Sequence, residues 1–334
     1  MINREQLVKV LEAVSLGLAQ KEIVEQTKSF LFLEDSIASY NDNVTVRCPF
    51  KSGIRGAVKS AELLAVLQKM KDEEVELSTS EKGNELIVSG KRTKSGISME
   101  SEMSLPLDEV KIPKEFKPLS KNFSKASRAC LFATSQDMTR PVLTCVHYSG
   151  KTIEATDSFT IAIYETDTSM DESLVPAKFV REIVNHDMKE YAISKGWIHF
   201  KDANKAVFSC RVMTGEFPKV SAHVKITGSV LELPSKLEDM LDRAKVFCSD
   251  EFEQDKQVFI SVAEGSLRVS IRGKNGWLKD RTKSSYTGED IAFHINPEFL
   301  LEAMHEEAVL TVGNQALLMK GKGFVHAVKL VIAK

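Results

Sequence analysis

The chain has 334 residues, enough for two or three domains that each bury a core, and its 45 basic residues nearly balance 47 acidic ones, for a net charge of −2. That balance argues neither for nor against nucleic acid, because a basic inner face can be offset by an acidic outer one. Five scattered cysteines (Cys48, Cys130, Cys145, Cys210, Cys248), odd in number and without a C-x-x-C pair, exclude a disulfide frame or zinc site and read as buried thiols in a reducing compartment. In chain order, a helical face comes first at Leu7/Val10/Leu11/Val14. Apolar stretches Phe30 to Leu33 and Ile37 to Tyr40 around Glu34-Asp35 predict two strands and a tight turn. A second helix follows Val58, with the face Leu63/Val66/Leu67, and a strand-turn-strand unit begins near Val75. A polar linker, residues 111–118 with two prolines, closes this run.

The same order then returns twice, at a period of roughly 115–120 residues. The first helix recurs at Phe123/Ala126/Ser127/Cys130 and at Leu237/Met240/Leu241/Ala244. The hairpin recurs as Val142 to His147, a turn at Ser149-Gly150 and a strand from Ile153, then as Val258 to Val262, a turn at Glu264-Gly265 and Leu267 to Ser270. The second helix recurs after Val175-Pro176, with Val180/Ile183/Val184, and after Asn296-Pro297, with Leu300/Ala303/Met304; proline suits a first helical turn. Strand-turn-strand units restart near Tyr191 and Val309. The expectation is an α+β chain of three similar domains, 1–116, 117–225 and 226–334, each with two helices packed on antiparallel sheets.

Catalytic signals are weak. Gly150-Lys151-Thr152 resembles the end of a phosphate-binding loop, but Cys145 occupies the place of its first glycine. His305-Glu306 begins like a zinc-protease helix, but the second histidine position is Val309. There is no G-x-S-x-G elbow, and Asp157 has no nearby base or nucleophile and suits a turn. No apolar run approaches a membrane span, and the first residues lack the apolar core of a signal peptide. A non-enzymatic, cytoplasmic protein without cofactor or metal is expected.

The second run carries the most specific text: residues 133–143 (ATSQDMTRPVL), 153–162 (IEATDSFTIA), 175–184 (VPAKFVREIV) and Gly215-Glu-Phe-Pro218. In this order and spacing it resembles the middle domain of the bacterial replicative sliding clamp, the beta subunit of DNA polymerase III. Ile2 to Leu7, Ser95 to Met99, Arg243 to Cys248 and Ile295 to Leu301 extend the resemblance over essentially the whole chain. It implies a head-to-tail homodimeric ring, with helices lining the hole and sheets outside. It also implies the partners: double-stranded DNA held without sequence preference, a replicative DNA polymerase, and an ATP-driven clamp loader. Bacterial and phage origins both stay open, the latter placing the protein in the host cytoplasm. A clamp-fold scaffold that does not encircle DNA is the alternative.

The resemblance also implies site residues. Lys125, Arg128, Lys178 and Arg181 on the inner helices, with Lys21, Gln136 and Arg140 in loops, are expected at DNA, an ordinary solvated face being the competing reading. A cleft for partner peptides is expected at Leu143, Thr156, Ser158, Phe159, Thr160, Ile161 and Pro218, with Val325, Ala327 and Val328 of the last strand in either of two registers. Bacterial clamps usually read Gly-His-Arg where this chain has Ser158-Phe159-Thr160, so acidic residues in the bound peptide are expected to matter less. Ile97 and Met99, on a strand at the facing edge, and Val246 and Phe247 are expected at the dimer interface.

Overall fold

The computed structural model describes residues 1–248, 257–305 and 308–330. The predicted order of elements is present three times. The first run has β1 (Ile2–Asn3), α1 (Arg4–Val14), β2 (Ser29–Leu33), β3 (Ser36–Tyr40), β4 (Val44–Pro49), β5 (Arg55–Lys59), α2 (Ser60–Lys69), β6 (Glu74–Thr79), β7 (Glu85–Ser89) and β8 (Lys94–Glu100). The second has β9 (Lys117–Pro118), α3 (Phe123–Cys130), β10 (Cys145–Thr156), β11 (Thr160–Pro176), α4 (Ala177–Ile183), β12 (Met188–Ser194), β13 (Trp197–Asp202) and β14 (Val207–Arg211). The third has β15 (Ser229–Leu231), α5 (Leu237–Lys245), β16 (Val258–Ala263), β17 (Ser266–Gly273), β18 (Gly276–Lys283), β19 (Ile291–Ile295), α6 (Pro297–His305), β20 (Val309–Val312), β21 (Ala316–Gly321) and β22 (Phe324–Lys329).

Local chemistry accounts for these elements. Leu7, Leu11 and Val14 of α1 are wholly buried, each worth about 1.5–3 kcal/mol, and the Asn3 side chain accepts the Gln6 N–H at the helix start. Arg4 of α1 donates to the carbonyls of Leu67 and Asp72, satisfying the C-terminal end of α2. On α3, Phe123, Ala126, Ser127 and Cys130 are buried, the face that periodicity predicts. Pro297 opens α6, and the Asn296 side chain accepts the Glu298 N–H. The turn between β2 and β3 places Glu34 at φ 66°, and that between β16 and β17 places Glu264 and Gly265 at φ 49° and 68°. Ser149-Gly150, where a turn is predicted, lies inside β10. There Gly150 takes φ 56° and the register with β11 shifts on both sides of it.

The chain gathers into two compact units: Met1–Ser120 with Arg181–Val212, and Lys121–Val180 with Met213–Lys334. The first unit holds one antiparallel sheet of order β1-β6-β7-β8-β5-β2-β3-β4-β14-β13-β12-β9. Within it β4 and β14 pair although about 160 residues apart, with Val46 opposite Phe208, both buried. Leu31, Ala38, Tyr40, Ala57 and Trp197 form part of its core.

The second unit holds a six-stranded sheet, β10-β11-β22-β21-β20-β15, and a four-stranded one, β18-β17-β16-β19. A similar seam joins β11 to β22, with Ala162 opposite His326 and Ile161 opposite Ala327. Alternation is strict in β17, where Leu267, Val269 and Ile271 face inward, while β18 lies at the outer edge of its sheet.

Candidate functional site

The second unit contains an apolar pocket of about 420 Å³, walled by Arg140 to Leu143 and by Glu216 to Lys219. Its floor belongs to a small core of Cys145, Leu174, Phe217 and Val220, against which Val142, Ile161, Ile163 and Met213 also pack. The turn before Pro218 depends on Gly215. Its φ is 149°, and a β-carbon there would stand 2.6 Å from a methyl of Val142. Leu143 and Pro218 line this one pocket, and Ile161 packs against the same core. Val142, Phe217 and Lys219 also line the pocket; Val142 lies in the 133–143 segment and Phe217 in the Gly-x-Phe-Pro turn, whereas Lys219 carried no signal in the sequence.

The other predicted cleft residues lie outside the pocket lining, and Ser158 joins it through Arg140. The Asp157 carboxylate accepts the N–H groups of Phe159 (2.8 Å) and Thr160 (2.6 Å), which oppose the upward push that burial gives its pKa. Thr156 and Thr160 are buried, and the Thr156 hydroxyl donates to the Thr160 carbonyl, so both serve the turn rather than the pocket wall. Ser158 stands at φ 80°, and its hydroxyl accepts a 2.7 Å bond from Nη1 of Arg140. Phe159 is 64% exposed, with Nζ of Lys329 5.4 Å from its ring centre. Ala327 and Val328 are buried and Val325 half-buried along β22, opposite Ile161, Thr160 and Ile163. Arg140, expected at DNA, is among the residues that line the pocket.

Of the remaining residues expected at DNA, Lys125 and Arg128 are exposed three positions apart on α3, and Lys178 and Arg181 are exposed three apart on α4. Lys21 and Gln136 are exposed in loops. The Lys21 loop is held from beneath by buried Gln26, which donates to a Glu100 carboxylate oxygen and to the Glu102 carbonyl and accepts the Ser104 N–H. In the Gln136 loop, hydrogen bonds from Thr139 hold the Asp137 carboxyl below the ordinary carboxylate range. Among the described residues no cluster of histidine, cysteine and carboxylates could hold a metal ion, and no helix is long and apolar enough to cross a membrane.

The expected interface divides. Val246 is 78% exposed, and Phe247 is half-buried beside a cavity of about 840 Å³ that Phe259, Trp277 and His294 also line. Ile97 and Met99 are only 3% and 5% exposed, because alternation in β8 turns them toward the core of the first unit. Nor is β8 an outermost strand: β7 pairs with it from Lys94 to Ser98, and β5 takes its other side at Met99 and Glu100.

No protein-family model matches the chain. The beta sliding clamp of Chlamydia pneumoniae is 23% identical over 336 residues, covering 91% of this chain and 88% of that protein. The DNA polymerase III beta subunit of Thermotoga maritima superposes with a TM-score of 0.74 at 20% identity, covering 100% of this chain and 99% of that one. The beta chain from Streptococcus pneumoniae gives 0.77 at 15% identity, covering 99% and 98%.

Proposed function

We propose that the chain is a member of the DNA polymerase III beta subunit, or sliding clamp, family, to whose proteins it is similar in sequence and fold, and that it is a non-enzymatic processivity factor. Two copies close head-to-tail around duplex DNA and hold a polymerase by a peptide in the second unit's pocket. The three runs are the three domains of each copy. A clamp does no chemistry: it keeps the polymerase at high local concentration and must slide, so it needs non-specific phosphate contacts and a closed path.

The observation that carries this reading is the repeated seam. The fourth-sheet-strand role that β4 plays toward β14 is played by β11 toward β22. In the third run that role falls to β18, whose outer edge has no strand on it among the described residues. In the first run, β8 corresponds to β14 and β22, and its Lys94–Ser98 stretch is paired on one side alone. One chain therefore ends each array with an unfilled half of the same seam, which a second copy would complete heterologously. Backbone edges, with Val246 and Trp277 beside them, would make that junction in place of the Ile97 and Met99 side chains. Loaded protein is expected to stay on nicked circular DNA and to leave once the circle is linearised. Equal retention on both forms at matched salt refutes encirclement. The ATP-driven loader is expected to use the same pocket as the polymerase.

A further inference from the structure

We propose that the exposed face of the third run's four-stranded sheet binds single-stranded DNA, holding its phosphates on cations of β17 and β18 and stacking its bases on Trp277 and Phe259. Packing fixes the inward face of this sheet: Leu267, Val269 and Ile271 of β17 are buried, and Asp280 of β18 meets Arg243 of α5 on that side. Alternation and register then send Arg268 and Arg272 of β17, and Trp277, Lys279, Arg281 and Lys283 of β18, to the opposite face, where all are exposed. On β16 and β19 that face shows Phe259, Ser261, Ala292 and His294. The outward positions of the four strands hold no aspartate or glutamate. The carboxylates Glu238, Asp239 and Asp242 of the same run lie on α5 instead. Arg268 stands directly opposite Arg281 in the ladder, a like-charge pair that costs the sheet stability. Packing does not require two arginines there, whereas an anion laid across the face makes use of both.

The rings decide which anion. Phe259 and His294 are opposite one another with ring centres 5.0 Å apart, and Trp277, opposite Arg272, is 58% exposed. With Ser270 and Lys279 they line the cavity of about 840 Å³. Ser270 stands between Phe259 and Lys279, a small residue that leaves room for a base beside a cation. An acidic peptide needs the cations alone, whereas exposed rings set among cations suit unstacked bases, as in other four-stranded sheets whose aromatics stack on single strands. A duplex keeps its bases stacked inside and leaves the rings unused. From Trp277 to Lys283 the strand runs about 20 Å, the span of about four nucleotides. The outward strand positions offer no carboxylate or amide to a 2′-hydroxyl, so DNA is preferred to RNA. A strand of a second copy paired to the edge of β18 would lie beside this face and not over it, so the site is compatible with the proposed dimer.

Trp277 supplies the readout, because the other tryptophan, Trp197, is buried in the first unit. The full-length protein is titrated with an oligothymidine of about twelve nucleotides. Binding is expected to quench tryptophan fluorescence, and the quench is expected to vanish in Trp277→Phe while Trp197 still emits. Trp277→Ala is expected to weaken binding about tenfold. Arg268→Thr with Arg281→Thr is expected to lower the slope of log affinity against log salt by about 1.4. The same pair of changes is expected to leave the melting temperature unchanged or higher, since it relieves the like-charge pair, which separates a lost contact from lost folding. Absence of a quench in the wild type overturns the inference. So does binding that survives Trp277→Ala and the arginine changes but is lost in Lys125→Glu/Arg128→Glu, which places the strand on α3. A hairpin duplex that quenches Trp277 as strongly at matched salt, or an oligouridine that binds more tightly, overturns it as well. Displacement of the oligothymidine by polyglutamate at equal charge overturns it in favour of an acidic protein as the occupant.

Discussion

The helices of the second and third runs share a shape and differ in charge. The sequence of α3 holds Lys125 and Arg128 and no aspartate or glutamate, and that of α4 holds Lys178 and Arg181 with one glutamate, Glu182. In the third run, α5 carries Glu238, Asp239 and Asp242 against Arg243 and Lys245, and α6 has Glu298 with no lysine or arginine. Both pairs bury apolar residues at every third or fourth position, so packing leaves the other face free to vary. Its charge therefore reports what that face meets. The cations of α5 are also engaged locally, Arg243 with Asp280 and Lys245 with Asp242. A net charge of −2 thus conceals helices of opposite sign, and phosphate attraction should concentrate in the second run.

The largest effect should come from reversing that difference. The variant Lys125→Glu/Arg128→Glu/Lys178→Glu/Arg181→Glu should lose measurable retention on nicked circular DNA at moderate salt. Single alanine changes at these positions should each lower the slope of log affinity against log salt by up to about 0.9. Neutralising Glu238, Asp239 and Asp242 together should leave retention unchanged or raise it. Comparable losses from both sets, measured by gel filtration of loaded circles, would dissolve the distinction between the two runs.

Acid should treat the two runs alike, since each buries a neutral imidazole. His199 on β13 bonds to Ser194 and Ser209, and burial pushes its pKa down to about 4. His326 on β22 lies among the rings of Phe132, Tyr164 and Phe324, and burial pushes it down to about 3. Between the ordinary histidine value and these lowered ones, the unfolded chain binds protons that the folded chain refuses. Stability is therefore full above about pH 6.5 and falls with pH toward 3–4, by on the order of a few kcal/mol per histidine. Replacing His326 with leucine should flatten this decline in urea titrations taken from pH 7 to 4. An unchanged slope would mean that the buried ring does not govern acid stability.

Much of this architecture is legible in local spacing. The helix faces at Leu7/Leu11/Val14, Phe123/Ala126/Ser127/Cys130 and Leu237/Met240/Leu241/Ala244 are buried as periodicity requires, and the turns at Glu34-Asp35 and Glu264-Gly265 lie where Gly and acidic residues interrupt apolar stretches. Three features were not legible, each because it depends on a distant neighbour. Gly150 interrupts the register of β10 without ending it, since β11 pairs on both sides. Ile97 and Met99 look like exposed interface residues until the alternation of β8 turns their side chains into the core. Arg140 reads as a loop cation until Ser158, eighteen residues later, folds back to hold it.

The smallest effect belongs to the contact that removes Arg243 from the comparison. Its guanidinium donates to one oxygen of Asp280, through Nε at 3.0 Å and through Nη2, joining α5 to β18. The hydrogen bonds from Arg243 hold the Asp280 carboxyl below the ordinary carboxylate range. A lowered folded pKa means that the stabilisation is present above the unfolded value, near 3.8, and is lost as pH falls through the folded one. Both groups keep substantial contact with water, so Asp280→Asn should destabilise by about 0.2–1 kcal/mol at pH 7, and by less at pH 2–3. The same change leaves Arg243 without its carboxylate on an otherwise acidic helix. DNA affinity should then rise slightly and its salt dependence steepen by less than one contact's worth. Should affinity rise as much as the second-run reversals lower it, the weakness of the third run would lie in this one ion pair and not in the carboxylates of α5.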